Sequence, residues 1–198
     1  MRPSSSTLGL QRFFSLVSDV LAAGPAGADV PDVPDVLCPV LAEALDDPDL
    51  LPERVLAHRP PSGFGKHLLR SGPDFSVFCT LTAPGMALPI HDHGSWGVVG
   101  VYRGVEEETR YEPSSQTLPG EPILFERGRV LHPAGDVMPV RPPPADIHAV
   151  ANGGSEWSVC IHLFAEDPLA QGFNIYTPPA FAPEATGPLD YDSTPEAP

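Results

Sequence analysis

The stretch Gly85-Met-Ala-Leu-Pro-Ile-His91-Asp-His93-Gly-Ser-Trp-Gly97-Val-Val-Gly-Val-Tyr-Arg-Gly104 constrains the fold of this chain most tightly. Glycines punctuate it, and the run after Gly97 is apolar and β-branched, which suits short strands joined by turns. Its two histidines stand at i and i+2. Side chains two apart in a strand point the same way, so both imidazoles project from one face. Neutral imidazoles on one face hold a first-row metal ion when a third ligand converges on them.

Strand patterning continues through the second part of the chain. From Lys66 onward, β-like runs are expected at 66–70, 75–83, 86–91, 96–103, 106–111, 122–126, 147–151, 157–164 and 172–176, with turn residues between them. Trp157 to Phe164 alternates most clearly. Ser158, Cys160, His162 and Phe164 face one way, and Val159, Ile161 and Leu163 the other. Many short strands of this kind build a sandwich or barrel. The first sixty residues differ. Ser6 or Thr7 can cap a helix running to about Ala23, whose stripe is Leu10, Phe13, Phe14, Val17, Val20 and Leu21. Further helical segments are expected at 36–46 and 50–57. The division predicted is an N-terminal helical region over 1–60, a barrel over 61–177, and an acidic Pro-rich tail over 178–198.

Charge and cysteine content narrow the partners. The chain has 198 residues and a formal net charge of −15, from 11 basic and 26 acidic residues. Nothing in such a balance neutralises a nucleic-acid backbone or an anionic membrane surface. Cys38, Cys79 and Cys160 are odd in number and widely spaced, so they form neither a disulfide framework nor a Cys-x-x-Cys metal pair. No apolar run approaches membrane-spanning length. The expectation is a cytoplasmic protein, monomer or homodimer, acting on a small molecule.

His148 is the candidate third ligand. It lies in Asp146-Ile-His148-Ala-Val-Ala-Asn152, β-patterned sequence that follows a Pro-rich turn. With it in place, a resemblance becomes specific. Gly85-x5-His91-x-His93-x3-Gly97-x6-Gly104 resembles the first cupin motif, and Gly135 with His148-x3-Asn152 resembles the second. Cupins commonly carry a Glu where Gly97 stands. A three-His cupin without that Glu resembles the thiol dioxygenases, the group of cysteine dioxygenase and 3-mercaptopropionate dioxygenase. Pro89-Ile-His-Asp-His-Gly-Ser-Trp-Gly97 is very similar to its bacterial members, as is Cys160-Ile-His162-Leu-Phe164.

The resemblance implies a mostly β fold, the cupin double-stranded β-helix or jelly-roll barrel, here with N-terminal helices. It implies Fe(II) held by His91, His93 and His148, although three-His sites also take nickel, cobalt, manganese or zinc. It implies a small thiol, cysteine or a 3-mercapto acid, oxidised by O2 to a sulfinic acid. Three neutral imidazoles leave a divalent ion its full charge, and binding to such an ion lowers a thiol's pKa.

The resemblance is incomplete on the late strand. The family's Ser-x-His-x-Tyr reads Cys160, His162, Phe164 here, so the histidine stays and the tyrosine hydroxyl is lost. His162 is the expected catalytic acid/base or hydrogen-bond donor. Substrate contacts are expected from Cys160, Phe164 and Tyr102. The anion clamp falls on Lys66, where the family has an arginine, or on Arg70. Two other functions remain open: a cupin oxidase that converts an aminothiol to a different product, by S–N bond formation or oxidative decarboxylation, and a non-catalytic cupin that binds metal or ligand. His132 reads as a loop residue.

Overall fold

The computed structural model describes residues 5–24, 32–114, 123–165, 174–176 and 183–185. Two antiparallel sheets face each other. One has strand order β1-β2-β9-β4-β7, from β1 (Phe64–Arg70), β2 (Ser76–Thr82), β9 (Ser158–Phe164), β4 (Gly97–Arg103) and β7 (Val137–Val140). The other runs β11-β10-β3-β8-β5-β6, from β11 (Pro183–Ala185), β10 (Asn174–Tyr176), β3 (Ile90–Asp92), β8 (Ile147–Asn152), β5 (Val105–Pro113) and β6 (Leu124–Pro133). Consecutive strands alternate between the sheets from β2 to β5, so the sheets are wound together as a double-stranded β-helix, a jelly roll. Among the described residues no helix is long and apolar enough to cross a membrane.

The five-stranded sheet is covered on both faces. Its outer face carries Val77, Cys79, Leu81, Val98, Val159, Ile161 and Leu163, packed against α1 (Ser5–Ala23), α2 (Val33–Leu45) and α3 (Glu53–Leu56). Its inner face carries Phe78, Val99, Val101, Cys160 and Phe164. The alternation read along Trp157–Phe164 is present in β9. The helix stripe is also present: Phe13 and Val17 are fully buried, and Leu10, Phe14, Val20 and Leu21 pack beside them.

α2 begins earlier than 36 because Pro34 occupies its first turn, where a missing N–H costs nothing. The approach of α2 depends on Gly100. A Cβ there would lie 2.9 Å from Leu41 Cδ2 and 2.9 Å from Leu45 Cδ1. β6 runs well past 126, to Pro133, and β7 was not expected; charged residues and a glycine hide the periodicity of β6, and β7 is only four residues long and holds Pro139. Apart from β11, the tail at 178–198 lies outside the described residues, as do the expected strand's first two residues, 172 and 173.

Candidate metal centre

β3 and β8 are neighbours, and their register sets His91 directly beside His148. His93 follows β3 by one residue and returns to the inner face, as the i, i+2 spacing requires. The imidazole centroids lie 4.9 Å (His91–His93), 4.7 Å (His91–His148) and 5.3 Å (His93–His148) apart. One ligand atom from each falls within 4.8 Å of the others.

The hydrogen bonds behind the rings fix the tautomers. His91 Nδ1 lies 2.9 Å from the Pro89 carbonyl, which can only accept, so that nitrogen carries the proton. His93 Nδ1 donates to Asp146 at 2.6 Å, and His148 Nδ1 to Glu108 Oε1 at 3.0 Å. In each ring the other nitrogen, Nε2, then bears the lone pair. Outer partners of this type orient metal-binding histidines and raise their basicity. His148 Nε2 is buried and has no hydrogen-bond partner among the described residues. An orphaned buried acceptor costs about 1–3 kcal/mol, a penalty that a coordinated cation removes. The donor set therefore fits one metal ion with three neutral nitrogen ligands.

Electrostatics follow from these contacts. Burial holds the His91 pKa well below the ordinary value, and His148 and His93 push it the same way. For His148 burial acts downward too, but the bond to Glu108 and the charges of Asp146, Glu108 and Glu106 outweigh it and raise the pKa. Burial acts to raise the Glu108 pKa; bonds and charges from His148 and Arg110 prevail and bring it to about 2. Glu108 is thus an anion with several donors: His148, Arg110 Nε at 2.8 Å and His132 Nε2 at 3.2 Å.

Gly97 explains why no carboxylate joins the three imidazoles from that position. It pairs with Phe164 across β4 and β9. A Cβ at 97 would clash with the ring, whose Cδ1 lies 2.5 Å from where it would sit. Phe164 stacks on His93, with centroids 4.8 Å apart and planes at 29°. The ring thus occupies the space that a side chain at 97 would enter, and it supports one ligand.

A cavity of about 60 Å³ lies against the three histidines, with His162, Glu106 and Thr80 among its walls. His162 Nε2 is 3.0 Å from Thr80 Oγ1, and its ring stacks on Phe78 at 4.6 Å. Burial, then the charge of Lys66, drives its pKa well below the ordinary value. Lys66 is buried, its Nζ 3.7 Å from the centre of the Phe78 ring. Cys160 is buried and donates its thiol to Glu106 Oε2 at 3.2 Å.

Two of the expected substrate residues are elsewhere. A register shift between Leu68 and Arg70 sets Arg70 opposite Val77, on the helix-covered face, where its guanidinium lies 4.2 Å from the Phe75 ring centre. Tyr102 shares that outer face with Val98, and its hydroxyl donates to the Asp47 and Pro48 carbonyls at 3.0 and 2.6 Å. His132 is not a loop residue: it lies in β6, one residue before the strand's end, buried, against Glu108.

Sequence reading passed over Asp146, Glu106 and Glu108. Asp146 carries a signal, since Asp146-x-His148 repeats the same-face spacing of His91-x-His93. Glu106 and Glu108 resemble a solvated polar strand. Only the pairing of β5 with β8, Glu106 opposite Asn152 and Glu108 opposite Val150, turns them inward.

No family model matches the chain. Among solved structures, similarity extends to the TT1209 protein of Thermus thermophilus, 18% identical over 59% of this chain and 95% of that one, at a TM-score of 0.44. A cupin superfamily protein of Desulfitobacterium hafniense DCB-2 is 15% identical over 59% of this chain and 90% of its own, at 0.42. An uncharacterized conserved protein with a double-stranded beta-helix domain from Klebsiella pneumoniae subsp. pneumoniae MGH 78578 is 18% identical over 63% and 94%, at 0.43. At such values it is the strand order and register of this chain that establish its architecture.

Proposed function

We propose that the protein is a mononuclear metal-dependent oxidoreductase that oxidises a small thiol with O2 to a sulfinic acid, RSH + O2 → RSO2H. Both oxygen atoms end on sulfur, so no further reductant is needed. The observation that carries the reading is the three-imidazole set without a carboxylate, its tautomers held by Pro89, Asp146 and Glu108. Fe(II) held by His91, His93 and His148 would supply the sites at which an anionic sulfur and O2 meet.

The chain's own residues then have distinct tasks. Phe164, fully buried, backs the His93 ring and holds it in place. His162, bonded through Nε2 to Thr80 and kept neutral by burial and by Lys66, is suited to accept or donate a hydrogen bond at Nδ1. Lys66 beside it supplies positive charge for an anionic substrate group, as a point charge rather than a planar fork. The cavity volume suits a ligand of few heavy atoms.

Phe164 also favours a second reading. With no hydroxyl at that position, oxygen and substrate lack a donor from that side of the site, and an aminothiol could be turned to a product other than the sulfinate. Oxygen uptake by iron-loaded protein across a thiol panel, with mass spectrometry of products, tests both. Substrate mass plus two oxygens supports dioxygenation; another product supports the second reading. Absence of thiol-dependent oxygen uptake overturns both and leaves a metal-binding cupin.

A further inference from the structure

Three carboxylates surround the histidine trio, and they differ in what balances them. Asp146 accepts from His93. Glu108 accepts from His148, Arg110 and His132. Glu106 is only 9% exposed, yet among the described residues its one hydrogen-bond partner is the Cys160 thiol. A thiol is a weak donor. A buried carboxylate is normally paired with a cation or with several strong donors, because desolvation is otherwise expensive. Burial pushes the Glu106 carboxyl up, and neither Cys160 nor the more distant histidines reverse that.

Glu106 is also a wall of the metal cavity. It lies on the inward face of β5, two residues before Glu108 and opposite Asn152, four residues along β8 from His148. Asn152 Nδ2 donates to the Thr82 carbonyl at 2.8 Å, and Thr82 pairs with Ser158. The end of the cavity away from the metal ligands therefore holds a carboxylate with two hydroxyl side chains, Thr82 and Ser158, among its walls. Each hydroxyl offers lone pairs as well as its one proton, and no cation of the protein is bonded to the carboxylate among the described residues.

We infer that Glu106 is a specificity-determining residue that receives a cationic, ammonium-type group of the ligand, while the ligand's sulfur reaches the histidine trio. An ammonium has three donors to divide among Glu106 and the two hydroxyls. It supplies the counter-charge that the buried carboxylate lacks. The inference rests on the thiol reading above and refines it, placing aminothiols ahead of neutral thiols and mercapto acids.

The test uses the full chain loaded with cobalt(II), which a three-His site accepts. Binding is read from the thiolate-to-cobalt absorption band, with no turnover required. The probes are cysteamine and 3-aminopropanethiol, 2-mercaptoethanol and 3-mercaptopropanol, and 3-mercaptopropionate. A charge-assisted hydrogen bond in a buried site predicts that the better aminothiol binds at least about 10-fold more tightly than the hydroxythiol of equal length. In Glu106→Gln that preference falls to within about threefold. Equal binding of the amino and hydroxy thiols by the native protein overturns the inference, with no variant needed. So does tightest binding of 3-mercaptopropionate, or a preference that survives in Glu106→Gln; each leaves the thiol reading standing. No band with any of the thiols overturns both.

Discussion

Gly97 and Phe164 decide what can stand beside His93. The pair is coupled sterically, because a Cβ at 97 would lie 2.4 Å from Phe164 Cε1. Gly97→Ala should therefore destabilise the fold by about 1–3 kcal/mol, as overpacking does. Denaturant midpoints check this, and adding Phe164→Ala should recover part of the loss; an unchanged midpoint in the single variant would contradict the packing account. The outer partners make a separate prediction. Asp146→Asn and Glu108→Gln each remove a carboxylate behind a ligand ring and should weaken metal affinity about 10–100-fold. Competition with a metal indicator measures this, and unchanged affinity in both would show that the ring orientation is fixed without them. The shared facing of His91 and His93 was legible in the sequence, because i, i+2 spacing in a strand is a local rule, whereas His148 was reached through the resemblance to the second cupin motif. Arg70 was misplaced because no local pattern encodes the bulge that turns it, and Tyr102 because alternation in β4 does not say which of its two faces meets the helices. A bulge keeps Arg70 outward, and Tyr102 follows Val98 and Gly100 onto the helix side.

Strands and helices show the same division between local and non-local information. The amphipathic stripe of α1 and the alternation in β9 are periodicities, and each appears in the structure where the sequence placed it. β6 and β7 have no such pattern, since one lies at an edge and the other is short and holds Pro139. β10 is held by a contact that the sequence does not announce. Asp92, between His91 and His93 and almost fully buried, accepts from Tyr176 at 2.7 Å and from Asn174 Nδ2 at 2.9 Å. β10 also pairs directly with β3, Ile175 opposite His91. Tyr176→Phe should cost about 1–3 kcal/mol by leaving part of a buried carboxylate unsatisfied. Thermal melting would record that as a drop of roughly 2–12 °C for a chain of this size. A melting point equal to the native one would mean that water replaces the hydroxyl and that Asp92 does not hold β10 in place.

Across the molecule, the histidines connect distant stretches of chain. His91 and His93 belong to the first winding of the β-helix and His148 to the second, so a shared ion would tie them together. Metal that binds the folded chain but not the unfolded one stabilises by linkage, about 2.7 kcal/mol at one hundred times Kd. The fold class was readable because turn signals and short strands recur from Lys66 to Phe164. The strand order that brings β5 beside β8, and so Glu106 and Glu108 to the cavity, was not, because pairing between strands far apart in sequence leaves no local trace. What the whole account requires is a single ion held by those three rings. Elemental analysis of purified chain after loading with Fe(II) and removal of excess should give one ion per chain, and essentially none for His148→Ala folded to the same far-ultraviolet spectrum. An equal metal content in the two proteins would contradict it.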